Sequence, residues 1–138
     1  MKQRKIFITQ KDRERLEELL MVADDFKYRD RDDLQSLKTE LARATIVNSN
    51  EIPPTVVTMN TRLVFQDLED ESKMAVTLVF PAEADIDHGK ISVFSPIGTA
   101  LLGYKEGDVI EWAVPDGKRR VRIDEVLYQP EAAGDLHL

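Results

Sequence analysis

The residues best suited to chemistry in this chain crowd into "MVADDFKYRDRDDL", positions 21 to 34. There Asp24, Asp25, Asp30, Asp32 and Asp33 are interspersed with Lys27, Arg29 and Arg31. Carboxylates are the hard oxygen donors that magnesium takes, so acids at this density could hold a divalent ion. Their spacing argues against it. Asp24 and Asp25 are adjacent, and neighbours on a helix splay by about 100° instead of converging on one ion. Asp30, Asp32 and Asp33 open a second helical pattern, where carboxylates stabilise a helix N-terminus, and Asp30 or Asp32 is the expected cap. The interleaved cations would neutralise part of any ligand set. The stretch is expected to be a solvated, non-catalytic turn.

Other chemistry is sparse. His88 and His137 are isolated in a polar loop and a tail, and both are expected at the surface, not as ligands. Zero cysteines exclude disulfides, zinc–thiolate sites and thiol nucleophiles. The chain offers no nucleophile–base pair, phosphate-cradling loop or metal-ligand spacing. It reads as a non-enzyme with no cofactor and no metal.

A net charge of −7 repels the phosphate backbone, so general nucleic-acid binding is not expected. "GKRRVR" is a local exception, with Lys118, Arg119, Arg120 and Arg122 close together. On a strand, Arg120 and Arg122 share one face and Arg119 takes the other. The expectation is a solvated edge strand guarded by charge, the alternative a docking patch for an acidic partner.

The elements that must position these residues fall into two parts. At 138 residues and 42% hydrophobic, the chain is one ordinary domain, or a small domain with an appended element. No apolar run approaches a membrane span, and "MKQRKIFITQ" cannot supply the apolar centre of a signal peptide, so the cytoplasm is expected. Residues 9 to 47 read as helix, turn, helix. Thr9 and Asp12 suggest a capping box before a stripe of Leu16, Leu19, Leu20 and Ala23. Leu34, Leu37, Leu41 and Ala44 form a matching seam, and an antiparallel hairpin, a short coiled coil, would bury both. Asn48, Ser49 and Asn50 end the second helix, and Pro53 and Pro54 predict an extended linker.

Beyond the prolines the pattern is strand-like: "TVVTM", "RLVFQ", "MAVTLVF", "ISVF", "DVIEWAV" and "RRVRIDEVLY". "PDG" at 115 to 117 predicts a tight hairpin between the last two strands. One segment, "SPIGTALLGYKEGD", departs from it. Pro96 at a helix start, Ile97, Leu101 and Leu102 at helical spacing and Gly103 at the stop predict a two-turn helix covering the sheet. Gly98 inside it suggests close packing. The fold class is α+β, with a helical unit at 1–50 and a mostly antiparallel sheet with one short helix at 51–138. Trp112 is expected in the core or on the sheet.

"ISVFSPIGTALLGYKEGDVIEWAVPDGK" resembles the C-terminal domain of the GreA/GreB transcription elongation factor family. "PPTVVTMNTRLVF" and the closing "YQPEAAGD" are similar to its Rnk group, regulators of nucleoside diphosphate kinase. The resemblance implies an FKBP-like body docking at the rim of the RNA polymerase secondary channel, with the hairpin projecting inward. Nucleic acid would be met only indirectly, through the transcription complex, and a membrane not at all. It also implies a polymerase contact at Phe94, Ser95, Pro96 and Ile97. Family members carry an acid before Ser-Pro, where Phe94 stands here. In cleavage factors two acids at the tip help hold a magnesium ion. These arms are much shorter, about four turns each, so the tip would stop outside the active centre. Regulation would then come from occupying the channel mouth and competing with Gre-type factors. An FKBP-like prolyl isomerase or peptide-binding module is the rival reading, opposed by the scarcity of aromatics to line a proline pocket.

Overall fold

A computed structural model describes residues 6–25, 31–114 and 117–135. The chain opens with strand β1 (Phe7–Thr9) and helix α1 (Gln10–Asp25), followed by α2 (Arg31–Arg43) and β2 (Thr45–Val47). The Thr9 hydroxyl caps α1 by accepting from the Asp12 amide at 3.1 Å. The Asp12 carboxylate does not simply close the reciprocal half of a box, because its Oδ2 accepts from the Met59 amide 47 residues away, at 3.1 Å. At 1.5 Å per residue the helices are about 24 and 20 Å long. Leu16 and Leu20 of α1 and Leu37 and Leu41 of α2 are buried, with Leu19 and Ala44 packed beside them.

The second helix stops earlier than its sequence predicts. Thr45, Ile46 and Val47 are β-branched residues that lose side-chain freedom in a helix, and they pair in parallel with β1 instead. Asn48 and Glu51 then form a capping box around a single turn of 3-10 helix. Pro53 and Pro54 do not make an extended linker. The Pro53 carbonyl accepts from the Val56 amide at 3.1 Å and closes a turn.

The "TVVTM" segment is not a strand either. Val56 makes one isolated bridge to Lys105, and Val56, Val57, Thr58 and Met59 are all buried in succession. Unbroken burial without alternation belongs to a segment wedged between layers. A half-solvated strand would alternate.

Five strands form the main sheet: β3 (Arg62–Asp67), β4 (Lys73–Val79), β5 (Lys90–Ser92), β6 (Val109–Val114) and β7 (Gly117–Tyr128), in the order β5-β4-β3-β7-β6. The sheet is mostly antiparallel, as expected, but not wholly so, since β4 and β5 run parallel with Leu78 opposite Ile91. Parallel neighbours cannot be joined by a tight hairpin. The chain therefore crosses back through two 3-10 turns, Pro81–Glu83 and Ile86–His88. β7 lies between β3 and β6, so the arginine strand is interior to the sheet and not at its edge. Val114 pairs with Gly117 across the last hairpin, whose turn residues Pro115 and Asp116 lie outside the described residues.

Inward positions alternate along the strands: Leu63 and Phe65 on β3, Val76 and Leu78 on β4, Val121 and Ile123 on β7, Ile110 on β6. Helix α3 (Pro96–Leu101) packs against β6, with Leu101 and Leu102 buried. Trp112 is partly buried against the same core. This core is continuous with the helical part, as one buried cluster contains Ile6, Ile8, Leu16 and Leu37 together with Met59, Leu63 and Leu101. A short helix α4 (Pro130–Ala133) closes the described chain. Among the described residues no helix is long and apolar enough to cross a membrane.

Candidate functional site

The segment from Ser92 to Thr99 is a rigid knuckle at the entry to α3. Ser95 is its N-cap: the hydroxyl accepts from the Gly98 amide at 3.1 Å and donates to the Ser92 carbonyl at 2.6 Å. The Ser92 hydroxyl accepts from the Phe94 amide at 3.0 Å, and the Thr99 hydroxyl donates to the Val93 carbonyl at 2.7 Å. Gly98 is required by contact, because a Cβ there would stand 2.1 Å from the Ser92 carbonyl oxygen. Proline at N1 sets the helical φ where no amide partner exists. What the knuckle presents outward is Pro96, which is exposed, and Ile97 and Ser95, which are half-buried. Phe94 is buried in the core. An apolar ring turned inward offers no charge at the surface, where the family resemblance implies an acid before Ser-Pro.

Behind the knuckle, Gly103 ends α3 with φ +86° and packs on Ile6, where an added Cβ would lie 2.9 Å from the Ile6 Cβ. Its carbonyl accepts from the Phe7 amide at 3.2 Å. Next in the chain, the Tyr104 hydroxyl meets Arg43 Nη2 at 2.7 Å. Burial pushes the Tyr104 hydroxyl above its ordinary pKa, as does nearby Glu40, while Arg43 opposes both. The base of the helical unit is thereby bonded to the loop that carries the knuckle.

The cations of "GKRRVR" are each matched by an acid. Lys118 faces Glu111 at 3.2 Å, Arg119 pairs with Asp67, and Arg120 reaches Glu69 at 3.4 Å. Arg122 donates to Asp124 at 2.8 Å and to Gln66 at 2.6 Å. The Arg122 hydrogen bond holds the Asp124 carboxyl below its usual range, with Lys73 adding to the effect. A strip so neutralised is a poor patch for an acidic partner.

Of the tip acids, the backbones of Asp24 and Asp25 close α1 and those of Asp32 and Asp33 lie in the first turn of α2. Asp30 lies outside the described residues, as does His137. His88 is exposed, and its Nδ1 sits 2.7 Å from Asp85.

Three connections are not evident from the sequence pattern. Spacing gives Asp12 only a role in a cap, yet it is buried beneath the turn at Met59. The Arg43–Tyr104 contact spans 61 residues and has no local signal. The tail does carry one, since "QPEAAG" has a polar cap, proline at N1 and glycine at the stop. Gln129 caps α4, and its amide donates to the carbonyls of Pro53 and Val56 at 2.8 and 2.7 Å.

Residues 52–128 match the family described as transcription elongation factor, GreA/GreB, C-terminal, and residues 4–47 match the Rnk N-terminus. This chain belongs to the GreA/GreB family, in its Rnk group. Over 104 residues it is 43% identical to the Escherichia coli (strain K12) regulator of nucleoside diphosphate kinase, covering 75% of this chain and 76% of that one. It is 42% identical to the Clostridium botulinum (strain Hall) transcription elongation factor GreA over 90 residues, 65% of this chain and 56% of the other. Among solved structures, a GreA/GreB transcription elongation factor from Nitrosomonas europaea is 47% identical. It covers 90% of this chain and all of that one, with a TM-score of 0.72. The Rnk-type chain is accordingly a regulator like the transcription elongation factors. Its knuckle lies wholly inside the matched GreA/GreB segment.

Proposed function

We propose that this Rnk-type protein binds RNA polymerase at the rim of the secondary channel and regulates elongation by occupying that site, without cleaving RNA. The 51–138 unit, an FKBP-like body, makes the contact, with Ser95, Pro96 and Ile97 at its centre. The 1–50 unit, an antiparallel hairpin, stands at the channel mouth. Its competitors are Gre-type factors, and any effect on nucleoside diphosphate kinase, which the Escherichia coli relative's name mentions, follows from altered transcription.

One observation carries the reading. The elongation-factor match runs through the whole sheet and knuckle, while the helices that precede it are only about 24 and 20 Å long. The 90 residues shared with the Clostridium GreA factor are a larger share of this chain than of that one, so that factor is the longer chain. A body kept with a short arm suits a factor that docks but does not reach the reacting phosphates.

The test is transcript cleavage in backtracked elongation complexes with magnesium. Wild type alone should stimulate no cleavage and should inhibit cleavage by an added Gre factor. Asp24→Ala with Asp25→Ala should inhibit equally well. Cleavage by the wild type that this double variant loses would show that the tip reaches the active centre, and the occupancy reading would fail.

A further inference from the structure

The chain brings two carboxylates from its opposite ends to the two sides of one small turn. Asp12, on the first turn of α1, is 2% exposed, and its Oδ2 accepts from the Met59 amide at 3.1 Å. Glu131, on α4, accepts from the Thr58 hydroxyl at 2.7 Å. The turn between them is held by its own threonines. Thr58 and Thr61 hydroxyls are 2.8 Å apart, and the Thr61 oxygen accepts from the Thr58 amide at 2.9 Å. Since the Thr58 proton goes to Glu131, the Thr61 proton must go to Thr58, and the hydrogen-bond chain has one direction.

We propose that Asp12 and Glu131 form a proton-responsive latch that joins the helical unit to the C-terminal strap through the Thr58–Thr61 turn. With both groups ionised, two negative charges flank a buried turn and the latch is weakened. One proton taken up by Asp12 removes that repulsion and the cost of a buried charge, while its remaining lone pairs still accept from Met59. The strap, fixed elsewhere by Gln129 on Pro53 and Val56 and by the Tyr128 hydroxyl on Asp135, is then held more firmly to the turn beneath α1. The latch does not depend on polymerase docking.

The groups acting on Asp12 are few. Glu131 from α4 repels its charge and Arg15 from its own helix attracts it, while β1 and the turn contribute the uncharged Thr9 hydroxyl and Met59 amide. Burial is the largest influence and pushes the Asp12 carboxyl up from 3.8 to about 6, with Glu131 pushing the same way. A carboxyl whose pKa is higher in the folded than in the unfolded state binds more protons when folded. Its contribution to stability is therefore greatest at low pH and is lost as the pH rises through about 6.

The experiment uses the full chain. Thermal midpoints of wild type, Asp12→Asn and Glu131→Gln are measured from pH 4.5 to 8, and the Asp12 carboxyl carbon is titrated by NMR in the wild type. Asparagine keeps an acceptor for Met59 but cannot titrate. The midpoint of Asp12→Asn relative to wild type should rise with pH between 5 and 7, and Glu131→Gln should shift the Asp12 inflection downward. Parallel wild-type and Asp12→Asn profiles, or an Asp12 inflection below pH 4.5, would overturn the latch. Should Asp12→Asn fail to fold, the wild-type inflection and its response to Glu131→Gln decide alone.

Discussion

Arg43, the last residue of α2, donates from Nη2 to the Tyr104 hydroxyl at 2.7 Å, and its Nε pairs with Glu40 at 2.9 Å. The returning arm of the helical unit is thereby tied to the loop directly behind the knuckle, so the angle between arm and body has a specific anchor. Tyr104→Phe removes only the hydroxyl. It should cost about 1 kcal/mol, the usual net value of a half-buried hydrogen bond. A double-mutant cycle with Arg43→Met, read by denaturant unfolding, should return a coupling of about 1 kcal/mol. Additive costs would mean that the contact anchors nothing.

The seam of the helical unit is a larger contributor. Leu37 is fully buried in the cluster that joins α1 and α2 to the sheet. Leu37→Ala should destabilise by about 3 kcal/mol through lost burial and the cavity left behind. Met21, 70% exposed on α1, is the control, and its alanine variant should stay within about 0.5 kcal/mol of wild type.

The knuckle should be unforgiving at its glycine and moderate at its cap. Gly98→Ala forces a Cβ onto the Ser92 carbonyl, a backbone atom that cannot step aside, and should cost about 3 kcal/mol or more. Ser95→Ala loses the cap and should cost about 1 kcal/mol. Circular dichroism melts of the two variants check the order. Equal costs would contradict the packing described for Gly98.

Features set by local spacing were legible in the sequence. The α3 helix announces itself by Ser95, Pro96 and Gly103, and the apolar face of β4 by Val76, Leu78 and Phe80. Thr9 was legible as a cap for the same reason. Features set by distant partners were not. Three-residue strands such as β1 and β2 are too short for a periodic signal, and their parallel pairing depends on where the helices return. "TVVTM" has strand composition but is buried from Val56 to Met59, with Met59 bonded to Asp12 of α1 and Thr58 to Glu131 of α4, which composition cannot reveal. Phe94 was legible as a departure from the family pattern, while its inward orientation follows only from the packed core. The partners that Asp67, Glu69 and Gln66 provide to the arginines of β7 were not legible, because they lie more than 50 residues away in sequence.

Direct binding to core RNA polymerase tests the central claim most closely, using labelled full-length protein at moderate salt with a Gre factor as competitor. The wild type should bind at micromolar concentration or below and be displaced by the Gre factor. Pro96→Arg, which alters the exposed point of the knuckle and leaves the Ser95 cap in place, should weaken binding at least tenfold while keeping the wild-type melting profile. A full-length protein that shows no polymerase binding at micromolar concentration would contradict the account, as would binding that a Gre factor does not displace.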